Sequence, residues 1–177
     1  MSVHHKLANG APDNRYHSDR DWVAFCNDHP LILTWLSRPR KISYDYHIPY
    51  LGGISTDGSV VFLDSRYDPV LSLQYHRLDS ALTLPDHEIT EYVLIRFYGF
   101  QYDPDNPDRS SHVWGNTAER LAVRGLDADW DEYNEAIDRQ LKGIELEKVE
   151  HCPPNLALYP YQGDKELLAK IRKAQEN

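Results

Sequence analysis

Apolar residues recur every three to four positions through much of the C-terminal two-thirds of the chain, which is the spacing of a helix with one buried face. The clearest series is Trp130, Tyr133, Ile137, Leu141 and Ile144. The residues just before this series are acidic, and acidic residues favour a helix N-terminus. The pattern therefore predicts a helix that packs into the core.

Three further helices are predicted from residues that start and stop helices. Thr83 is a suitable N-cap with Pro85 in the first turn, where the missing N–H does no harm, and Gly99 ends that helix. Apolar residues over 108–124 predict a second helix, and a charged segment over 164–175 predicts a short terminal one.

The N-terminal part is less regular. The polar stretch before Ser18 predicts a loop, and Ser18 itself is a plausible N-cap for a short helix. The apolar run at 31–36 fits either a strand or a buried helical turn. A basic connector follows it, and we place there the boundary between an N-terminal extension, residues 1–40, and a single domain, residues 41–177.

The clearest β signal lies early in the predicted domain. Residues 42–51 are rich in Tyr and Ile, and residues 59–63 read Ser-Val-Val-Phe-Leu. Asp57 and Gly58 between them are residues that a tight turn needs. Residues 70–78 fit a further short strand or a loop. We therefore predict an α+β fold in which a small antiparallel hairpin or sheet packs on a bundle of three to four helices.

Composition excludes several classes of protein. The 19 Lys and Arg against 28 Asp and Glu give a net charge of −9, which disfavours sequence-independent binding to nucleic acid. We expect no membrane span, because no apolar run approaches the ~20 residues that cross a bilayer, and no signal peptide is visible. The two cysteines, Cys26 and Cys152, are too few for a disulfide framework. We expect both to be reduced and the protein to be cytoplasmic.

The segment richest in chemistry is His87-Glu88-Ile89-Thr90-Glu91. Helix positions four apart share a face, so His87 and Glu91 can reach one cation. Glu88 is turned away by about a third of a helical turn and can act as a general base. This is the arrangement of the zinc-protease helix with the second His replaced by Glu.

The next predicted helix carries a second pair, His112 and Glu119, which also share a face. A short connection would make the two helices antiparallel neighbours. We therefore predict a metal site with His87, Glu91 and His112 as ligands and Glu119 as a fourth ligand or an outer-sphere partner. Zinc is the first choice, and iron or manganese also accept nitrogen and oxygen ligands.

A structural interpretation stands beside this one. Glu91 and Glu119 are also what a solvated helix face would carry, and a single His is more often a half-buried residue bonded to a backbone carbonyl. Asp64, at the end of the second predicted strand, fits either an outer-sphere acceptor for a ligand imidazole or a turn residue.

Several short motifs together resemble a group of small phage and bacterial proteins that has no established activity. The motifs, over residues 46–162, are Ile48-Pro49-Tyr50, Gly52-Gly53, Asp57-Gly58, Asp64, His87-Glu88-x-x-Glu91, His112, Ala118-Glu119, the run from Asp129 to Tyr133, Pro153-Pro154-x-Leu156 and Pro160-Tyr161. The resemblance implies that the two His/Glu pairs belong to one site. Here residues 101–111 are longer and richer in proline than in that group, and the first forty residues lie outside the pattern.

Two functions follow as hypotheses. The first is a metal-dependent hydrolase of zincin-like chemistry that acts on a peptide or another amide, with Glu88 as general base. The alternative is a non-catalytic acidic protein that binds a protein partner, for example a phage-type inhibitor of a host protein in the host cytoplasm, with the His/Glu set as a structural polar or metal cluster. A di-metal redox site ranks last, because no Glu-x-x-His repeat occurs.

Overall fold

A computed structural model of the chain describes residues 14–103, 105–146, 148–161 and 164–176. Within them lie six α-helices and two small sheets, so the predicted α+β fold is confirmed. The helices are α1 Asp19–Asp28, α2 Leu31–Leu36, α3 Leu84–Tyr98, α4 Ser111–Gly125, α5 Trp130–Leu141 and α6 Lys165–Gln175. The first part of the loop predicted before Ser18, residues 1–13, lies outside the described residues. None of the helices among the described residues combines the length and apolarity that crossing a bilayer requires.

Helices α3 and α4 form the centre of the molecule. As predicted, α3 begins after Thr83 with a proline in its first turn, and it ends at Gly99, whose φ of 71° is the left-handed conformation that glycine adopts easily. Position 87 on α3 faces position 119 on α4, and position 91 faces position 112. The two helices are therefore antiparallel, as the site prediction requires.

The larger sheet has three strands, β1 Lys41–Ser43, β2 Gly52–Ile54 and β3 Val60–Leu63, in the order β1-β3-β2. Strands β2 and β3 form a hairpin whose turn contains Gly58 with a φ of 72°. The second strand is the predicted one, but it pairs with Gly52–Ile54, which was predicted to lie in the turn, and not with residues 42–51. Strand β1 pairs with β3 in parallel, so the sheet is mixed rather than antiparallel throughout.

The predicted strand over 42–51 is wrong beyond Ser43. Tyr50 and Leu51 both have positive φ, at 59° and 78°, and no strand accommodates that conformation. The backbone N–H of Ile48 donates to the Asp64 carboxylate at 2.7 Å instead of to a neighbouring strand. The segment therefore crosses over the sheet as irregular backbone and delivers Tyr50 and Gly52 to one end of α3.

The run at 31–36 is a helix, which is one of its two predicted alternatives. Residues 70–79 form a second hairpin, β4 Val70–Ser72 with β5 Arg77–Asp79, rather than the single short strand or loop predicted over 70–78. The N-cap at Ser18 is confirmed, because its hydroxyl oxygen accepts from the backbone N–H of Asp21 at 3.2 Å.

The described part of the predicted N-terminal extension packs on the central helices. Trp22, Cys26 and Ile32 are buried in the main hydrophobic cluster, together with residues of α3, α4 and α5. The Asn116 side-chain amide on α4 donates to the backbone oxygen of Arg15 at 3.0 Å. The chain before α1 therefore lies against the same helix that carries His112.

A second hydrophobic cluster joins α6 to the sheet through Ile48, Phe62, Leu156 and Ile171. The backbone N–H of Ala157 donates to Ile54 O at 2.8 Å, so the chain after α5 runs along the free edge of β2. Only this short contact matches the extended segment predicted over 155–161, because Tyr159–Tyr161 closes into a 3-10 turn. That turn places Pro160 and Tyr161 beside the N-terminal half of α3.

Candidate metal centre

Helix α3 places His87 and Glu91 one turn apart on a buried face, at 5% and 6% exposure. Their side chains meet, with 3.2 Å between His87 Nε2 and Glu91 Oε1. This is the (i, i+4) contact that the sequence spacing predicts.

His112 reaches the same point from α4. Its Nδ1 lies 3.0 Å from Glu91 Oε1, and one potential ligand atom from each of His87, Glu91 and His112 lies within 4.8 Å of the others. The close approach of the helices depends on Gly115, because a Cβ there would lie 3.1 Å from both the His87 ring and Glu91 Cγ. The three side chains therefore form a buried group that can hold a metal ion.

Glu119 lies behind this group rather than in it. Its Oε2 is 3.1 Å from His87 Nδ1, the ring nitrogen that faces away from Glu91. A carboxylate in this place favours the neutral imidazole tautomer with hydrogen on Nδ1, which directs the lone pair of Nε2 towards Glu91 and the position that a metal would take. Of the two roles predicted for Glu119, the geometry favours the outer-sphere one.

Tyr133 and Thr83 extend the site into the core. The Tyr133 hydroxyl donates to Glu119 Oε1 at 2.7 Å and lies 2.7 Å from Thr83 Oγ1. Burial and the Glu119 charge raise the pKa of Tyr133 well above its usual value, so the hydroxyl stays protonated and donates. Tyr133 was not among the predicted site residues. The available signal was a tyrosine on the core face of α5, because a buried Tyr hydroxyl needs a hydrogen-bond partner.

Burial and neighbouring charges shift the pKa values of His87 and Glu91 in opposite directions when no metal is bound. Burial alone would lower the pKa of His87, but the carboxylates of Glu91 and Glu119 outweigh it and raise the value well above the usual range. Burial would raise the pKa of Glu91, yet His87 and His112 hold it well below the usual range. Without metal, the group is therefore held together by a charged imidazolium between carboxylates.

Glu88 stands beside the ligands with its side chain half-buried against β2. A Cβ on Gly52 would lie 2.3 Å from Glu88 Oε1, so only a glycine leaves room for this carboxylate. Burial raises the pKa of Glu88 to about 8, although the nearby His87 opposes the shift. A bound cation would draw that pKa down, towards the range in which a carboxylate serves as a general base near neutral pH.

A small cavity opens directly onto the ligands. Its volume is about 30 Å³, which is enough for a water molecule next to an ion. The residues that line it are Tyr50, Gly52, Leu84, His87, Glu88, Glu91, His112, Pro160 and Tyr161. The three potential metal ligands and Glu88 therefore line the same cavity.

Asp64 takes no part in this site. Its carboxylate is fully buried and accepts from the backbone of Ile48 and from the guanidinium of Arg66, with 2.8 Å to Arg66 Nε. Of its two predicted roles, the structure shows the turn role. The cysteines are buried too, and burial raises the pKa of Cys26 to about 11 and that of Cys152 to about 12, so neither thiol is an activated nucleophile.

Comparison with known proteins assigns no family to this chain. No protein-family model, no curated protein and no solved structure matches it. The functional conclusion therefore depends on the geometry around His87, Glu91 and His112.

Proposed function

We propose that this protein is a metal-dependent hydrolase that cleaves a peptide or another amide. The observation that carries the proposal is the convergence of His87, Glu91 and His112 on one point at the wall of a cavity, with the Glu88 carboxylate beside them. A purely structural cluster needs neither the cavity nor the adjacent carboxylate.

The donor set supports zinc as the metal. Two imidazoles and one carboxylate with a fourth position open to water are ligands of catalytic zinc sites. Iron and manganese accept the same atoms. When bound, the metal would polarise the substrate carbonyl and lower the pKa of a water molecule.

The residues of the chain would hold and move protons around that centre. Glu119 keeps the proton of His87 on Nδ1, so that Nε2 is available to bind. Glu88 would take a proton from the attacking water and return it to the leaving amine, which is the task of a general base that becomes a general acid.

Metal content is the first test. We expect untagged protein, dialysed after exposure to zinc, to hold one zinc ion per chain by elemental analysis. His112→Ala should remove it, whereas His76→Ala, an exposed histidine at the turn between β4 and β5, should not. Wild-type protein without stoichiometric metal would contradict the proposal.

Turnover is the second test. Glu88→Gln should keep the metal and abolish cleavage of any peptide that the zinc-loaded protein hydrolyses. A Glu88→Gln protein that retains turnover would refute the assigned base. A site closed by four protein ligands, with no place for water, would support the alternative of an acidic binding protein instead.

A further inference from the structure

We propose that the site takes a neutral amide flanked by an apolar or aromatic group and disfavours an anionic substituent beside that amide. This inference rests on the proposed hydrolase function and specifies its substrate class. It comes from the cavity walls that the catalytic roles do not use.

The cavity lining carries negative charge. Of the nine residues that line the cavity, two are carboxylates, Glu88 and Glu91, and none is Lys or Arg. The reacting group itself would occupy the open position of the bound cation, so an anionic substituent beside that group would leave water next to the Glu88 carboxylate, with no Lys or Arg side chain in the lining to pair with it. Such a transfer is costly. A substrate that carries a carboxylate or phosphate substituent next to the scissile amide is therefore disfavoured.

The rest of the cavity lining is mainly apolar or aromatic. Its residues are Tyr50, Leu84, Pro160 and Tyr161, with Gly52. Leu84 and Tyr161 are almost fully buried, at 3% and 2% exposure, whereas Tyr50 and Pro160 keep part of their surface in solvent. The deep part of the wall is thus fixed by the core, and the half-exposed rings form the mouth.

Contacts on its ring and its hydroxyl hold the Tyr50 side chain in place. Its ring stacks on Tyr161 with centroids 5.7 Å apart and planes at 24°, and its hydroxyl donates to Asp164 at 3.4 Å. Its backbone and that of Leu51 have positive φ, and Leu51 is buried in the core. A left-handed conformation at two consecutive non-glycine residues persists only where the surroundings enforce it. The strained segment therefore presents a preorganised aromatic face at the mouth.

The cavity is small compared with a substrate. The space next to the ligands, about 30 Å³, admits little more than the reacting group. A larger substituent beside that group must lie at the mouth, against Tyr50. An aromatic or apolar substituent gains there from contact with the ring.

The test uses three small hydroxamates as probes, since a hydroxamate binds an accessible zinc ion whatever its substituent. Acetohydroxamate, benzohydroxamate and the monohydroxamate of succinate are titrated into the zinc-loaded protein by calorimetry. We expect benzohydroxamate to bind about tenfold more tightly than acetohydroxamate, in line with the energy of an aromatic contact, and the succinate derivative to bind more weakly than either. Tyr50→Ala should remove the preference for the aromatic probe, and Tyr50→Phe should keep it.

The outcomes separate the two proposals. If the zinc-loaded wild-type protein binds no hydroxamate, the open coordination position is absent, and both the hydrolase proposal and this inference fail. Equal affinity for the acetyl and benzoyl probes, or tightest binding of the anionic probe, overturns the inference and leaves the hydrolase proposal standing. A preference for the aromatic probe that survives in Tyr50→Ala also overturns it. The comparison within wild type decides the matter even if Tyr50→Ala does not fold.

Discussion

Replacing Tyr133 by Phe tests the outer sphere of the metal centre with the loss of a single oxygen atom. Tyr133 is fully buried, and its hydroxyl connects Glu119 to Thr83. A hydrogen bond to a charged group contributes about 1.5–3 kcal/mol, and one between neutral groups contributes about 1 kcal/mol. The two losses overlap, so we expect the free energy of unfolding of the metal-free protein to fall by about 2–3 kcal/mol.

The same substitution should weaken metal binding. Glu119 loses the donor that fixes its orientation behind His87, and loss of such an outer-sphere partner typically lowers metal affinity by about 10–100-fold. Urea unfolding in the presence of chelator measures the first effect. Competition with a chelating dye measures the zinc dissociation constant, and circular dichroism verifies that the variant is folded.

Tyr67→Phe is the matched control. Tyr67 is also a buried tyrosine, and its hydroxyl lies 2.9 Å from Ser80 Oγ. We expect this variant to lose about 1 kcal/mol of stability, as for a neutral hydrogen bond, and to keep the zinc affinity of the wild type. Equal zinc affinity in the Tyr133→Phe and Tyr67→Phe proteins would refute the assignment of Tyr133 and Glu119 to the metal centre.

Three further predictions concern the base, the pH and the metal. Gly52→Ala should displace the Glu88 side chain, so turnover should fall while zinc content and thermal stability change little; unchanged turnover would remove Glu88 from the reaction. The folded pKa of His87 is raised, so its contribution to stability is complete below about 6.5 and lost as the pH rises through the folded value. The folded pKa of Glu91 is lowered, so the contribution of Glu91 to stability is complete above about pH 4.5 and is lost as the pH falls through the folded pKa. From these two groups, the stability of the metal-free protein in denaturant titrations should fall below about pH 4.5 and above about pH 6.5. The raised pKa of Glu88 adds to the alkaline decline, so His87→Asn should reduce that decline and His87→Asn combined with Glu88→Gln should abolish it. Saturating zinc at about 1,000 times its dissociation constant should add roughly 4 kcal/mol to stability, and a chelator should reverse the gain in a thermal-shift assay.

The parts of the fold that could be predicted depend on local signals. Helix α3 follows from Pro85 at its start and Gly99 at its end, and helix α5 from the spacing of its apolar residues. The spacing of His87 and Glu91 predicted a shared face because a regular helix fixes the direction of each side chain. The fold class followed from such patterns, and the pairing of α3 with α4 followed from their shared His/Glu faces, although the connection between them, residues 99–110, is longer than the short one assumed.

The parts that could not be predicted depend on contacts between distant segments. Residues 44–51 have the composition of a strand, but Leu51 is drawn into the core through a left-handed backbone that β propensity does not anticipate. Tyr133 lies 14 residues after Glu119 and Tyr161 lies 109 residues after Gly52, and each pair meets only in the folded chain. The metal ligands were therefore visible in the sequence, whereas the tyrosines that surround them were not.

A crystal structure of the zinc-loaded protein would test the central claim most directly. The account predicts an anomalous zinc peak at about 2.0–2.2 Å from His87 Nε2, a Glu91 carboxylate oxygen and a nitrogen of His112. It also predicts that Glu119 remains bonded to His87 Nδ1 and that the open side of the ion faces Glu88. A zinc ion bound elsewhere, no bound zinc at these side chains, or a fourth protein ligand that closes the site would contradict the account.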